Sequence, residues 1–173
     1  MTLAKYFNEN KLSVPVFLDI AVRLAHILGE LHANKIIHKD INPENILISP
    51  DGKNLEICYF GIASQLAQET QGVRLNESLK GSLTHISPEQ TGRMNRSIDY
   101  RSDLYSLGVI LYQALCGKLP FEYNDIIELV HAHIARYPVE PRKVDNNIPG
   151  ILSDIVMKYW PKMRKKDTKA PVA

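Results

Sequence analysis

The feature that most constrains this chain is a polar segment at residues 38–45, His-Lys-Asp-Ile-Asn-Pro-Glu-Asn, followed by Cys58-Tyr59-Phe60-Gly61. A tripeptide such as His38-Lys39-Asp40 alone is compatible with a chance loop sequence. Here Asn45 follows Asp40 at a fixed offset. A carboxylate can accept the proton of an attacking hydroxyl, and an amide oxygen can bind a metal ion. The segment therefore predicts a loop that carries a catalytic site.

Three further motifs follow in order. They are Ser87-Pro88-Glu89, then Ser-Asp-Leu-Tyr-Ser-Leu-Gly at residues 102–108, then Cys-Gly-Lys-Leu-Pro-Phe at residues 116–121. Together with segment 38–45 and Phe60-Gly61, they resemble the protein kinase series: the H-R-D-L-x-x-x-N loop, D-F-G, A-P-E, and then a long buried helix with its closing turn. In that family, the aspartate that matches Asp103 holds the backbone of the catalytic loop through hydrogen bonds.

The resemblance extends over residues 12–157. It is closest to the kinase domains found at the N-terminus of large bacterial, notably cyanobacterial, proteins that also carry an ATPase module and a sensor histidine kinase. The runs IIHKDINPENILI and ISPEQTGRMNRSIDYRSDLYSLGVILYQALCGKLPF carry this likeness. It implies a protein substrate or partner, with histidine-kinase signalling modules among the candidates.

The resemblance also implies a chemistry and its site residues. Phosphoryl transfer from ATP depends on positioning and charge neutralisation. Asp40 matches the catalytic base, and Asn45 matches a magnesium ligand in the ATP site. Asn42 replaces a lysine that commonly touches the transferred phosphate. Ser82 matches a small hydroxyl residue that contacts the catalytic aspartate in serine/threonine kinases. ATP and Mg²⁺ are therefore the implied cofactors, and serine/threonine the implied specificity.

Tyr59 is the serious departure from this pattern, because the family has a metal-binding aspartate in the ATP site at this position. A phenol with a pKa near about 10 is neutral at pH 7, and it is too bulky for the place. The sequence therefore predicts a serine/threonine kinase domain by descent that is inactive by itself. The alternatives are a pseudokinase-type binding module and a decayed gene product without a stable fold.

The fold class expected is α+β, mostly α: a kinase-like C-terminal lobe with a short β-hairpin by the catalytic loop. An apolar stripe at helical spacing predicts a long helix after Ser13, a potential cap. Residues 46–48 and 55–57 flank Pro50-Asp51-Gly52 and predict the hairpin. Further helices are expected over residues 100–116, 126–134 and 151–157, with an irregular stretch at 61–81.

The amino-terminal lobe of a kinase is expected to be absent. The 173 residues contain neither a G-x-G-x-x-G loop nor a strand lysine in a V-A-I-K-like context. Kinases use these parts to cover and pair the ATP phosphates. Residues 1–12 resemble the short helix that follows the hinge between the lobes. The predicted domain is accordingly a truncated kinase domain, the C-lobe at residues 1–158.

Residues 159–173 are predicted to be an aberrant tail. In the family a helix and a late arginine follow, and that arginine pairs with the glutamate at position 89. Here there is no helical periodicity, and Pro161 would break a helix. A one-base frame shift near Lys158 allows Ile-Leu-Ala-Lys-Asn-Ala-Glu-Lys-Arg-Tyr-Gln-Ser-Ala, which is similar to the family's continuation. The tail is therefore interpreted as out of frame, with a natural basic tail as the alternative.

Composition excludes several other classes. There is no apolar run of about 18 residues, so no membrane span is expected. The basic residues near the end are not taken as a nucleic-acid or membrane site. Cys58 and Cys116 are too few and too far apart for a metal pattern, so reduced thiols in a cytoplasmic protein are expected. His131 and His133 are expected on a solvated helix rather than at a metal.

Overall fold

In a computed structural model, residues 1–65, 82–94 and 96–160 are described. Short antiparallel strand pairs sit among helices. The helices are α1 (Leu3–Glu9), α2 (Val14–Ala33), α3 (Tyr100–Cys116), α4 (Ile126–Ala135), α5 (Pro141–Val144) and α6 (Gly150–Met157). Within these described ranges the strands are β1 (Ile36–Ile37), β2 (Ile46–Ile48), β3 (Leu55–Ile57) and β4 (Ser64–Gln65), and 3₁₀ turns cover Pro43–Asn45, Ser82–His85 and Pro88–Thr91.

Helix α2 carries the catalytic loop at its carboxyl end. Pro15 lies in its first turn, where a missing N–H costs nothing. Ser13 precedes the helix as expected, but its side chain makes no capping hydrogen bond. The predicted stripe faces the core and buries Phe17, Ile20, Leu24 and Leu28. Burying such a side chain contributes about 1.5–3 kcal/mol, so this face holds the helix against α3.

The predicted hairpin is present as β2 and β3. The strands pair antiparallel with Ile46 opposite Ile57 and Ile48 opposite Leu55. Gly52 in the connecting turn has φ 74°, a conformation that glycine adopts without steric cost. The pairing of β1 with β4 was not predicted. Each of those strands has two residues, too few to show an alternating pattern, and β4 falls within the stretch expected to be irregular.

Helix α3 is the central element. Asp99 caps its amino end by accepting from Arg101 N at 2.9 Å, and Gly117 ends it with φ 70°. The sequence predicts one broad apolar face, whereas the structure buries a nearly continuous run of residues on all sides. The buried residues are Ser102, Asp103, Tyr105, Ser106, Leu107, Gly108, Val109, Ile110, Leu111 and Tyr112. The helix therefore forms the core around which the site is built.

The chain after α6 returns to this core. Trp160 is 3% exposed and packs edge-on against Tyr105 and Tyr112, with ring centroids 5.7 and 6.0 Å away. Gly108 leaves room for this return, since a Cβ added to it would lie 2.3 Å from Tyr159 Cβ. Tyr159 and Trp160 are thus packed residues. The frame-shift interpretation of the tail stays a prediction, and the remainder of that tail lies outside the described residues.

In the described ranges, no helix combines the length and apolar character needed to cross a bilayer. His131 is exposed as expected, whereas the expectation of a solvated helix is wrong for His133, which is 2% exposed. The two side chains are two positions apart, and a helix turns such neighbours to different sides.

Candidate active site

Asp103 organises the catalytic loop. Its carboxylate is completely buried. It accepts hydrogen bonds from His38 N at 2.9 Å, from Lys39 N at 2.8 Å and from His32 Nε2 at 3.0 Å. Charge-assisted bonds of this kind are stronger than neutral ones. The loop at residues 38–40 is therefore fixed to the middle of the core rather than left as a surface loop.

His38 joins this loop to the turn at residues 58–61. Its Nε2 donates to the Cys58 carbonyl at 3.0 Å, while its Nδ1 accepts from Asp40 N at 3.2 Å. One ring nitrogen donates and the other accepts, which is the pattern of a neutral imidazole. The Phe60 ring meets the imidazole edge-on with centroids 4.7 Å apart. The two segments singled out in the sequence are therefore in contact.

The structure brings together Asp40, Asn42 and Asn45. Asn42 Nδ2 donates to Asp40 Oδ1 at 2.9 Å, and Asn45 Nδ2 donates to Asp40 Oδ2 at 2.7 Å. Asn42 Oδ1 also caps the Pro43–Asn45 turn by accepting from Glu44 N at 3.0 Å and Asn45 N at 3.2 Å. Both ends of the Asn42 amide are used inside the loop. Each oxygen of the Asp40 carboxylate thus has a fixed orientation.

Comparison with known proteins identifies the family of this chain. The family model for the protein kinase domain matches residues 2–169. The chain belongs to the protein kinase family. The fold is kinase-like, mostly helical with small antiparallel sheets.

Among the curated relatives of this chain, a probable serine/threonine-protein kinase of Clostridium perfringens is 34% identical over 90% of this chain and 22% of its own length. The serine/threonine-protein kinase PrkC of Bacillus subtilis is 30% identical over 91% of this chain and 24% of its own. A hybrid signal transduction histidine kinase of Dictyostelium discoideum is 28% identical over 90% of this chain and 7% of its own. This chain thus spans at most about a quarter of the length of these relatives.

Kinases of this family normally bind ATP with Mg²⁺, and the residue present at position 59 does not fit that metal. Magnesium is usually held through one or two carboxylates. Asn45 offers only an amide oxygen, and both oxygens of Asp40 accept amide hydrogens. Tyr59 places a phenol where the family has a carboxylate. Across the described ranges, no group of three or more histidine, cysteine, aspartate or glutamate side chains is placed to hold a metal ion.

Tyr59 has an unusual backbone as well as an unusual side chain. Its φ is 64°, in the left-handed region, and its side chain is 70% exposed. Aspartate and asparagine enter this region several-fold more readily than most residues, whereas a bulky side chain there is an outlier. The turn therefore keeps a conformation that suits an aspartate while carrying a tyrosine in its place.

Ser82 begins the 3₁₀ turn Ser82–His85. Its side chain lies outside the described part of the chain, so its contact with Asp40 stays a prediction. The end of this turn and the residues after it are hydrogen-bonded to α3. Ser106 Oγ donates to the His85 carbonyl at 2.7 Å, and Ser102 Oγ donates to Glu89 Oε1 at 2.6 Å. Both bonds join residues 85–89 to α3; these residues end the stretch from position 61 to position 89 that matches the activation segment of kinases.

Sequence reasoning missed Gln90. This side chain is 4% exposed, and its Nε2 donates to the Lys39 carbonyl at 2.6 Å. It also forms a capping box with Ser87. The pattern Ser-x-x-Gln at residues 87–90 is a recognised sign of such a box, so the turn was detectable. The long-range contact to the catalytic loop was not, because no local pattern encodes it.

Proposed function

We propose that residues 1–158 form the C-terminal, substrate-side lobe of a serine/threonine protein kinase, and that the 173-residue chain does not transfer phosphate by itself. The observation that carries this proposal is the contrast between an ordered base and a defective metal position. Asp40 is oriented by Asn42 and Asn45. Tyr59, by comparison, places an exposed phenol where the family has its metal-binding aspartate.

In the proposed ancestral reaction, Asp40 accepts the proton of a substrate serine or threonine hydroxyl as that oxygen attacks. ATP bound with Mg²⁺ would supply the γ-phosphoryl group, with ADP as the leaving group, and the metal would neutralise the phosphate charge. The loop contributes orientation: Asp103 fixes the backbone of His38 and Lys39, and the two asparagines fix the carboxylate. Such positioning accounts for much of the catalytic power of kinases, so the preserved loop supports descent from an active enzyme.

Calorimetric titration with Mg-ATP tests the proposal. We expect no measurable heat of binding, because the metal position lacks its anion and the 173 residues contain no phosphate-covering glycine loop. A dissociation constant in the micromolar range, equivalent to about −8 kcal/mol, would contradict it. A radiolabelled-ATP assay with a generic protein substrate should likewise stay at background.

Replacing Tyr59 with aspartate should separate stability from activity. Relief of a left-handed tyrosine is expected to raise the free energy of unfolding by about 1 kcal/mol. Phosphoryl transfer should still be absent, because one carboxylate does not supply the missing lysine and glycine loop. Urea unfolding and the radiolabel assay measure the two effects.

Two control substitutions sharpen this test. Tyr59→Asn should stabilise similarly without adding a charge, and Tyr59→Phe should leave stability unchanged because it keeps a bulky ring at φ 64°. Turnover above background in Tyr59→Asp would overturn the inactive assignment. A stability gain in Tyr59→Phe would show that strain at position 59 is not the cause.

A second candidate function is a pseudokinase-type binding module. It is favoured by three exposed apolar side chains beside the loop: Tyr59 at 70%, and Phe60 and Ile62 at 44% each. A protein partner, including a histidine-kinase signalling module, would cover such a patch. Cooperative two-state unfolding of the isolated chain would agree with either function, whereas a broad, non-cooperative transition would favour a decayed product.

A further inference from the structure

The Gln90 side chain connects two parts of the site that are far apart in sequence. Its Nε2 donates to the Lys39 carbonyl at 2.6 Å. Its Oε1 accepts from Ser87 Oγ at 2.9 Å and from Ser87 N at 3.3 Å. The side chain is almost fully buried, at 4% exposure. Donor and acceptor ends are therefore both committed, one to the catalytic loop and one to the turn that closes the activation segment.

The carbonyl that Gln90 holds belongs to the peptide bond that leads into Asp40. The residue before that bond, Lys39, has φ 68°, a conformation that side-chain-bearing residues seldom adopt. Its N–H donates to Asp103 Oδ1 at 2.8 Å. The Lys39 backbone thus makes two hydrogen bonds to other elements. Its N–H donates to Asp103 on α3, and its carbonyl accepts from Gln90 on the Pro88–Thr91 turn. Without the second contact, this strained backbone has one fewer restraint.

We propose that Gln90 is a positioning residue that sets the orientation of the Lys39–Asp40 peptide and couples it to the end of the activation segment. The proposal rests on the proposed function, in which Asp40 is the base, and it adds a route by which the segment at residues 87–91 controls that base. A glutamine suits the task because a single amide offers a donor for Lys39 and an acceptor for Ser87. An ionised carboxylate or an apolar side chain lacks the donor.

Gln90→Glu in the full chain gives a titratable version of this contact. A protonated carboxyl can still donate to the Lys39 carbonyl, whereas an ionised one cannot. Burial raises the pKa of a glutamate well above its ordinary value of about 4.3, so the change is expected between about pH 5 and pH 9. The readouts are the ¹⁵N amide shift of Asp40 and the hydrogen-exchange rate of the Lys39 amide, compared with the unchanged chain at each pH.

At low pH the variant should match the unchanged chain. As the introduced carboxyl ionises, the Asp40 shift should move and exchange at Lys39 should accelerate by about tenfold, a factor typical of one lost hydrogen bond. Gln90→Met, which never donates, should show the faster exchange at every pH without a titration. Gln65→Glu makes the same charge change at an exposed strand position and should leave both readouts unaltered.

The proposal is overturned if the loop signals of Gln90→Glu do not titrate. It is also overturned if exchange accelerates equally in α6, because a uniform change means that Gln90 only contributes to global stability. If Gln90→Met does not fold, the low-pH and high-pH forms of Gln90→Glu still provide the comparison. No nucleotide is used, so these outcomes are independent of the ATP-binding test, and failure of the kinase assignment would leave them interpretable.

Discussion

Replacing Asp103 with alanine is expected to lower the free energy of unfolding by about 3–5 kcal/mol. The substitution leaves the N–H groups of His38 and Lys39 without their acceptor in the interior, and each such group costs about 1–3 kcal/mol. The contact to His32 Nε2 is lost as well. A domain holds only about 5–15 kcal/mol in total, so the variant should be close to unfolding at room temperature. Urea unfolding measures the difference.

Asp99→Ala is the matched control for Asp103→Ala. Asp99 lies one turn earlier, where its carboxylate caps α3 by accepting from Arg101 N and pairs with the Arg101 side chain. Loss of such a cap costs about 1 kcal/mol, and the surface ion pair adds little. The same chemical deletion should therefore have a several-fold smaller effect four residues away. Equal losses at the two positions would show that the catalytic loop does not depend on Asp103.

The expected difference between Asp103→Ala and Asp99→Ala reflects how the loop at residues 38–45 is held in place. The loop at residues 38–45 inserts Ile41 into the apolar core at 1% exposure, and its backbone is strained at Lys39. Buried polar partners on other elements hold that backbone as well: Asp103 on α3 and Gln90 on the Pro88–Thr91 turn. Buried polar networks of this type specify one arrangement when every member is satisfied. The proposed base keeps its geometry even though the metal position has changed.

The elements that sequence reasoning predicted are those with local signals. The hairpin was detectable because short runs rich in isoleucine and leucine flank Pro50-Asp51-Gly52, and α2 because apolar residues recur every three or four positions. The co-location of Asp40, Asn42 and Asn45 also follows from their closeness in sequence. The roles carried over from the kinase resemblance, base for Asp40 and metal ligand for Asn45, remain proposals, because geometry alone does not test chemistry.

What sequence reasoning could not supply depends on contacts between distant segments. Nothing near Gln90 indicates that it reaches Lys39, and a periodic pattern for α3 cannot show that even Ser102 and Ser106 are buried. His133 is the clearest case. Its helix is exposed at His131 and buried two residues later, against Tyr105 and Phe121. Tertiary packing decides which side of α4 is buried. Burial also lowers the pKa of His133.

Two buried histidines are expected to make the fold acid-sensitive. Burial lowers the pKa of His85 to about 4 and that of His133 to about 3. His85 donates and accepts as a neutral ring, with Gln113 Oε1 3.2 Å from Nε2 and Thr84 Oγ1 2.8 Å from Nδ1. His133 Nδ1 lies 2.8 Å from the Tyr105 hydroxyl, and the backbone of Leu83 and Thr84 also interacts with its ring.

The direction of the effect follows from proton binding. In the unfolded chain both histidines have a pKa of about 6.5. Between that pH and the lower pKa values of the folded state, the unfolded state binds more protons than the folded state. Stability therefore rises with pH in this window. The full contribution is present above about pH 6.5 and is lost as the pH falls towards 4. At pH 5 the loss is on the order of 2 kcal/mol for each histidine.

Urea unfolding at pH 5, 6 and 7 should show this loss directly, and substitutions on α4 should assign it. His133→Gln keeps a side-chain acceptor for Tyr105 and cannot become charged, so about half of the pH dependence should disappear. His131→Gln makes the same change two residues earlier at an exposed position and should leave the slope intact. If His133→Gln retains the full slope, the acid sensitivity arises elsewhere. If both variants reduce the pH dependence of stability equally, burial of His133 is not its cause, because the two positions lie on one helix and differ in burial.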